Sequence, residues 1–209
     1  MNLDEAIYHS RHTLLDILDK RGYNVTPFRK FGPAEAKVAA ENFPINYPAL
    51  DFIATAKDSS EKKVAVVYPS QRLNQTTRVS LFLGSVSNTY DKDTEIICMI
   101  TDPTTEELHS AMVYKEWLLN KRKVSFFWVN HLVINPMEHA FVPRHEKVPS
   151  DEVAALLKQL RAKASHLPII RFHTDMQARC LGLLPGDIVK ITRPSPSAGE
   201  YIVYRVCSP

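Results

Sequence analysis

Asp51 and the run Glu61-Lys62-Lys63 are the residues whose types could do hydrolytic chemistry. Two carboxylates can share a Mg²⁺, and a lysine two positions after the second can orient the attacking water, an arrangement that cleaves phosphodiesters. The setting argues against it. The triplet follows the polar turn 57–60, and its central residue, Lys62, is charged where a working site would turn an apolar side chain into the core. His9 and His12 lie one turn apart on a helical stretch, but two histidines alone do not complete a ligand set, and surface histidines are the plainer account. Cys98, Cys180 and Cys207 are far apart, odd in number and outside any Cys-x-x-Cys pair. They imply neither a disulfide framework nor a zinc knuckle, and a reducing compartment fits them. With 6 Gly in 209 residues there is no glycine-rich phosphate loop, and no Ser/His/Asp or Cys/His arrangement can be argued from sequence distance. The expectation is a chain with no catalytic residue, no cofactor and no metal.

The elements that would position any site read as follows. Hydrophobic content of 44% and charged content of 23% are those of an ordinary globular protein, and no apolar run approaches the roughly 20 residues of a membrane helix. The first ten residues lack the pattern of a secretory signal, so export is not expected. Leu3, Ile7, Leu14, Leu15 and Leu18 recur at helical spacing up to Gly22, and a shorter helix is expected after Pro33. DFIATA and VAVVYP read as two neighbouring strands around a polar turn, and EIICMI as a short buried one. RVSLFLGSV fits either a strand or a helix. Thr104 with Glu107 has the form of a capping box opening a helix through Leu119, after which SFFWVN and HLVI are expected as strands. This gives an alternating α/β domain over residues 1–135. Residues 136–149 are polar, proline-containing and aperiodic, as a linker with one short extended piece would be. A compact module is expected over 150–209. It opens with a helix capped by Ser150, with Val153, Leu156, Leu157 and Leu160 as its apolar stripe. LPII then forms a short strand, and a helix follows that is opened by a Thr174/Gln177 capping box and closed by Gly182. The strand pair DIVKITR and EYIVYRVC ends the module. Net charge is +3. Residues 1–135 balance 16 basic against 16 acidic residues, while 136–209 carry 10 against 7. A freestanding nucleic-acid binder needs a concentrated basic face, so any such contact here is auxiliary. Lys121-Arg122-Lys123, the densest basic run, reads as a solvated helix end.

Strand alternation puts Ile202, Tyr204 and Val206 on one face of the last strand and Tyr201, Val203, Arg205 and Cys207 on the other. Both faces are largely apolar. A terminal hairpin covers one face with its own module, so the other needs either a further element of the chain or a partner. Arg193 and Arg205 at the strand ends, with the small polar turn Pro194–Gly199 between them, suit a protein interface.

At these residues the sequence resembles a known family. Leu167, Pro168, Ile170, Asp175, Ala178, Gly182, Leu183, Gly186, Val189, Lys190, Ile191, Arg193, Ser195, Ala198, Gly199, Tyr201, Tyr204, Arg205 and Cys207 all fall on the pattern of the assembly module of RNA polymerase subunit 5 and of its shorter archaeal counterpart. The likeness covers residues 140–207. Cys180 and Leu181 depart from it where the family favours aromatics, and Pro196-Ser197 replaces a Glu-Thr pair. The resemblance implies α/β and α+β architecture: a restriction-endonuclease-like α/β/α jaw over 1–135 and a small α/β assembly module ending in a β-hairpin. It implies a non-catalytic subunit of DNA-directed RNA polymerase, anchored on the largest subunit near a subunit-6-like small subunit. The interface residues would be Arg193, Ser195, Ser197, Ala198, Gly199, Tyr201, Val203, Tyr204 and Arg205. The N-terminal likeness is carried by DKRGYNVT, element order and length. It implies that Thr101, Pro103 and Thr104 approach downstream duplex DNA. It also makes Asp51, Glu61 and Lys63 the nuclease alternative, since endonucleases of that fold carry such a set. A divergent N-terminal half beside a well-matched C-terminal half suggests a copy such as that of a large cytoplasmic DNA virus, placed in host cytoplasm and virion, or in the nucleus if cellular.

Overall fold

The structure is a computed structural model and describes residues 1–58, 60–101 and 106–208, without the side chain of residue 106. The chain divides into two compact units, Met1–Ile134 and Asn135–Pro209. The segment 136–149, read from sequence as a linker, belongs to the second unit and supplies one of its strands.

The first unit begins with α1 (Leu3–Lys20), whose Ile7, Leu14, Leu15 and Leu18 are fully buried. It stops at Gly22, where a φ of +86° lets the chain leave the helix in a conformation a Cβ would penalise. Helix α2 (Pro33–Glu41) has Pro33 in its first turn, where the missing N–H costs nothing, and the Glu35 carboxylate accepts the Gly32 N–H at 3.0 Å. Strands β1 (Phe52–Thr55) and β2 (Lys63–Val67) pair antiparallel as an expected neighbour pair. Helix α3 (Thr76–Thr89) then leads to β3 (Glu95–Ile100), and α4 (Glu106–Asn120) to β4 (Val124–Trp128); β2, β3 and β4 run parallel. Sheet order is β1-β2-β3-β4. Every residue of β3 is buried, as a central parallel strand covered on both faces requires.

The ambiguous run RVSLFLGSV lies within α3. Its Val79, Phe82, Leu83 and Val86 are buried while Leu81 is exposed, so the 3.6-residue period wins over the alternation. HLVI is not a strand. Residues Val129–Leu132 form a 3₁₀ turn that buries Val129 and Leu132, ending the sheet at Trp128. The Thr104 cap lies outside the described residues.

The second unit is a four-stranded sheet of order β5-β7-β8-β6 with two short helices. Strand β5 (Arg144–Lys147) pairs antiparallel with β7 (Ile188–Ser195), β7 antiparallel with β8 (Gly199–Ser208), and β6 (Ile169–Arg171) parallel with the end of β8. Helix α5 (Val153–Gln159) begins after Glu152, and no side chain caps it, so the expected Ser150 cap is not made. Helix α6 (Met176–Leu181) is capped by Asp175, not by Thr174. The Asp175 carboxylate accepts the N–H groups of Gln177 at 2.8 Å and Ala178 at 3.1 Å. A carboxylate satisfies two orphan donors and also favours the positive helix end. Asp187 does similar work in the next turn. Its Oδ2 accepts the Leu184 N–H at 2.8 Å and pairs with Lys147 Nζ at 2.6 Å, tying β5 to the turn before β7. Mixed α/β secondary structure in both units agrees with the expected α+β class.

Candidate interface

The β7–β8 ribbon extends beyond the rest of its sheet. β5 reaches only to Thr192 and β6 only to Val206, so the distal half of the ribbon, up to the turn at Pro196–Ala198, is flanked by neither. Its apolar side chains are open to solvent: Tyr201 is 60% exposed on one face and Ile202 44% on the other. Val203, Tyr204 and Arg205 are half-buried, and burial becomes complete only at Cys207. Arg193 is exposed opposite Tyr201 on β7. In the turn, Ser195 Oγ accepts the Ala198 N–H at 3.3 Å, and Ser197 and Gly199 are exposed. The nine residues expected at an interface all lie on the β7–β8 ribbon and its turn, distributed over both of its faces.

Two further pieces join it. Ile169, 52% exposed at the start of β6, shares the face of Ile202 and Tyr204 through its pairing with Val206. None of the stripe Val153, Leu156, Leu157, Leu160 on and just after α5 is buried. Between α5 and the sheet lies an open groove of about 610 Å³, with Glu152, Ala155 and Leu156 on the helix side and Glu146, Lys190 and Tyr204 on the sheet side. Sequence alternation signalled Ile202, but it could not show where β6 stops, so Ile169 was not singled out. Arg205 is partly structural: its Nη1 donates to the Ile169 carbonyl at 3.1 Å.

The residues considered for hydrolysis are not assembled. Asp51 precedes β1, whereas Lys63 pairs with Thr55 at the other end of that strand, about 13 Å of extended chain away. Glu61 lies beyond it, exposed in the turn. Asp51 is an exposed residue with its carboxyl turned inward to accept the Tyr68 N–H at 2.6 Å. Burial pushes that carboxyl up to about 6, against the lowering effects of the Tyr68 N–H and the Arg11 charge. Among the described residues no three His, Cys, Asp or Glu side chains are grouped to hold a metal. His9 and His12 both pack against the Tyr8 ring. All three cysteines are buried thiols, and burial drives Cys98 well above its ordinary pKa, which makes it unreactive.

Of the loop residues, Thr101 accepts the Trp128 indole N–H on its carbonyl at 3.1 Å; Pro103 and Thr104 lie outside the described residues. The basic run is not a solvated helix end. Arg122 is buried and donates to the Tyr90 carbonyl at 3.0 Å, Lys123 pairs with buried Glu95 at 3.0 Å, and only Lys121 lies outward, over the Trp117 ring. Arg122 and Lys123 are turned into internal hydrogen bonds and an ion pair, so they do not present their charged groups at the surface for direct phosphate contact.

Residues 134–207 match the family described as RNA polymerase Rpb5, C-terminal domain. The DNA-directed RNA polymerases I, II, and III subunit rpabc1 of Dictyostelium discoideum is 28% identical over 199 residues, 94% of each chain. The DNA-directed RNA polymerase subunit Rpo5 of Sulfurisphaera tokodaii is 46% identical over 72 residues, 34% of this chain and 84% of its own. The RPABC1 subunit of Caenorhabditis elegans is 42% identical over 86 residues, 41% of this chain and 40% of its own. The family match covers the unit that carries the exposed ribbon.

Proposed function

Because the chain belongs to the Rpb5 family of DNA-directed RNA polymerase subunits, we propose that it is a non-catalytic subunit of such an enzyme, anchored by its second unit on the largest subunit near a subunit-6-like chain. The observation that carries the reading is the position of Tyr201 and Ile202 inside the matched region, exposed on opposite faces of one strand. Two solvent-facing apolar surfaces on one ribbon lose free energy in water, and a permanent neighbour removes that cost. The first unit would be the jaw, a restriction-endonuclease-like α/β fold without a nuclease site. It would sit beside incoming duplex while other subunits perform nucleotidyl transfer. Its parallel strands β2–β4 supply a stiff platform, and the segment after β3 would present Thr101, Pro103 and Thr104 to the DNA backbone.

Tagged full-length chain, purified from the cells or virions that make it, should co-elute with chains the size of the two large polymerase subunits, identified by mass spectrometry. Recovery of the chain alone would remove the reading. Within that assembly, Pro103→Ala should leave subunit composition unchanged and weaken crosslinks from downstream DNA to this chain by roughly 3- to 10-fold, as loss of about 1 kcal/mol of contact would. Unchanged crosslinks would withdraw the loop assignment.

A further inference from the structure

We infer that β8 receives an added strand: an extended segment of a neighbouring polypeptide pairs with its free edge from Glu200 to Tyr204, continuing the line of β6. This rests on the reading of the second unit as a polymerase assembly module and specifies how that module is gripped.

The backbone directions are fixed by the bonds at the closed end. The Val206 N–H donates to the Pro168 carbonyl at 2.9 Å and the Ser208 carbonyl accepts the Phe172 N–H at 3.3 Å, both toward β6. The Cys207 N–H donates to the Asp187 carbonyl at 2.7 Å, toward β7. Pairing with β7 continues one residue to one from Val206 to Gly199. In an antiparallel ladder the N–H and C=O of a residue point to the same side and alternate along the strand. Tyr204, Ile202 and Glu200 therefore direct their backbone groups away from β7, past the point where β6 begins at Ile169. Arg205, Val203 and Tyr201 direct theirs into the ribbon.

The two free edges of this ribbon differ. Beyond the end of β5, the corresponding outward position on β7 is Pro194, which has no N–H to offer. Proline at an outward position is a standard block against unwanted pairing. The β8 edge has no proline, lysine or bulge at Ile202 or Tyr204. Side-chain pattern agrees: Tyr201-Ile202-Val203-Tyr204 is apolar on both faces, the composition of an interior strand, yet in this chain it stands at an edge. An inserted strand makes β8 interior and lays its own alternate side chains beside Ile202 and Ile169 on one face and beside Tyr201 and Val203 on the other. Main-chain bonds then supply affinity and these flanks supply selection. The closed end of the slot carries the Arg205 guanidinium, held on the Ile169 carbonyl. The segment that fits is extended, alternately apolar, and bears a carboxylate near that end.

Hydrogen exchange resolved to single amides, on the free chain and on the polymerase that carries it, tests this without any substitution. In the free chain the amides of Ile202 and Tyr204 should exchange as open-strand amides, and those of Val203 and Arg205 slowly. In the enzyme, Ile202 and Tyr204 should slow by at least about 100-fold. Ile202→Pro, which removes an outward N–H and no hydrogen bond of this chain's own sheet, should cut retention in the enzyme about 10-fold beyond Ile202→Ala. If the chain co-purifies with polymerase while Ile202 and Tyr204 stay fast and the two variants behave alike, the added strand is wrong and the subunit reading stands. If it does not co-purify at all, both fall.

Discussion

Tyr201→Ala combined with Ile202→Ala should release the chain from the polymerase while leaving both of its units folded. The two side chains project from opposite faces of β8 and are 60% and 44% exposed in the chain alone, so truncating them creates no cavity. Exposed truncations of this kind change folding stability by about 0.5 kcal/mol or less. In an assembly the same side chains would be desolvated on both sides, and a buried aromatic anchor is worth about 2 kcal/mol or more, with an isoleucine adding roughly 1. About 3 kcal/mol is a loss of more than 100-fold in affinity. Arg205 is a poorer choice for this purpose. Its guanidinium donates to the Ile169 carbonyl within the chain, so Arg205→Ala would confound binding with a weakened β6–β8 contact. The measurement is competitive incorporation of tagged variant against untagged wild type, with a thermal melt of each alone. Equal incorporation with equal melting would dismiss the ribbon as the anchor.

The parts of this surface that sequence made legible are those with local causes. Gly182 closes α6 with a φ of +65°, a requirement set by local backbone geometry that leaves a readable trace, whereas the opening cap was read one residue early, at Thr174 in place of Asp175. The β7–β8 pair was equally plain, because two β-rich runs flank a short turn of small residues. What sequence did not give is which part of β8 is an edge. That depends on where β6 stops, and Ile169 pairs with Val206 from 37 positions away. The same limit explains the basic run 121–123, read as a solvated helix end because cations suit a helix C-terminus, while Arg122 and Lys123 are found internal because the Tyr90 carbonyl and Glu95 reach them from elsewhere in the fold. HLVI failed for another reason. Three apolar residues after a histidine cannot distinguish a strand from the end of a 3₁₀ turn when the sheet has already ended. For the hydrolytic triplet the spacing was suggestive, but the hairpin register sends Asp51 and Lys63 to opposite ends of β1, and no local feature announces a register.

Glu95→Ala should destabilise the first unit about as much as truncating a large core side chain. Glu95 opens β3 with a side chain only 6% exposed, and its Oε2 accepts from both Arg21, just after α1, and Lys123, just before β4; their side chains are 10% and 17% exposed. One carboxylate thus joins the end of a helix to two parallel strands. Burial alone would raise its pKa, but the Arg21 and Lys123 charges outweigh burial and hold it below 4.5. Removing it leaves two cations in a site with little water, and breaking a buried pair from one side costs about 3–5 kcal/mol. That is a large part of the roughly 5–15 kcal/mol that keeps a typical domain folded. The direction with pH follows from the depressed value. The ionised carboxylate contributes its full stabilisation above about 4.5, and the contribution is lost as pH falls through the lower folded-state value, so acid should weaken the wild type more than the Ala variant. Both tryptophans, Trp117 and Trp128, lie in the first unit, so urea unfolding followed by tryptophan fluorescence reports on it alone. The expected result is a midpoint well below wild type at pH 7 and a gap that narrows below about pH 4. Replacing Glu95, Arg21 and Lys123 together by Met should recover most of the loss, because no charge is then stranded. A single variant as stable as wild type at pH 7 would mean that the trio adds nothing to stability and that β3 is held by its apolar faces alone.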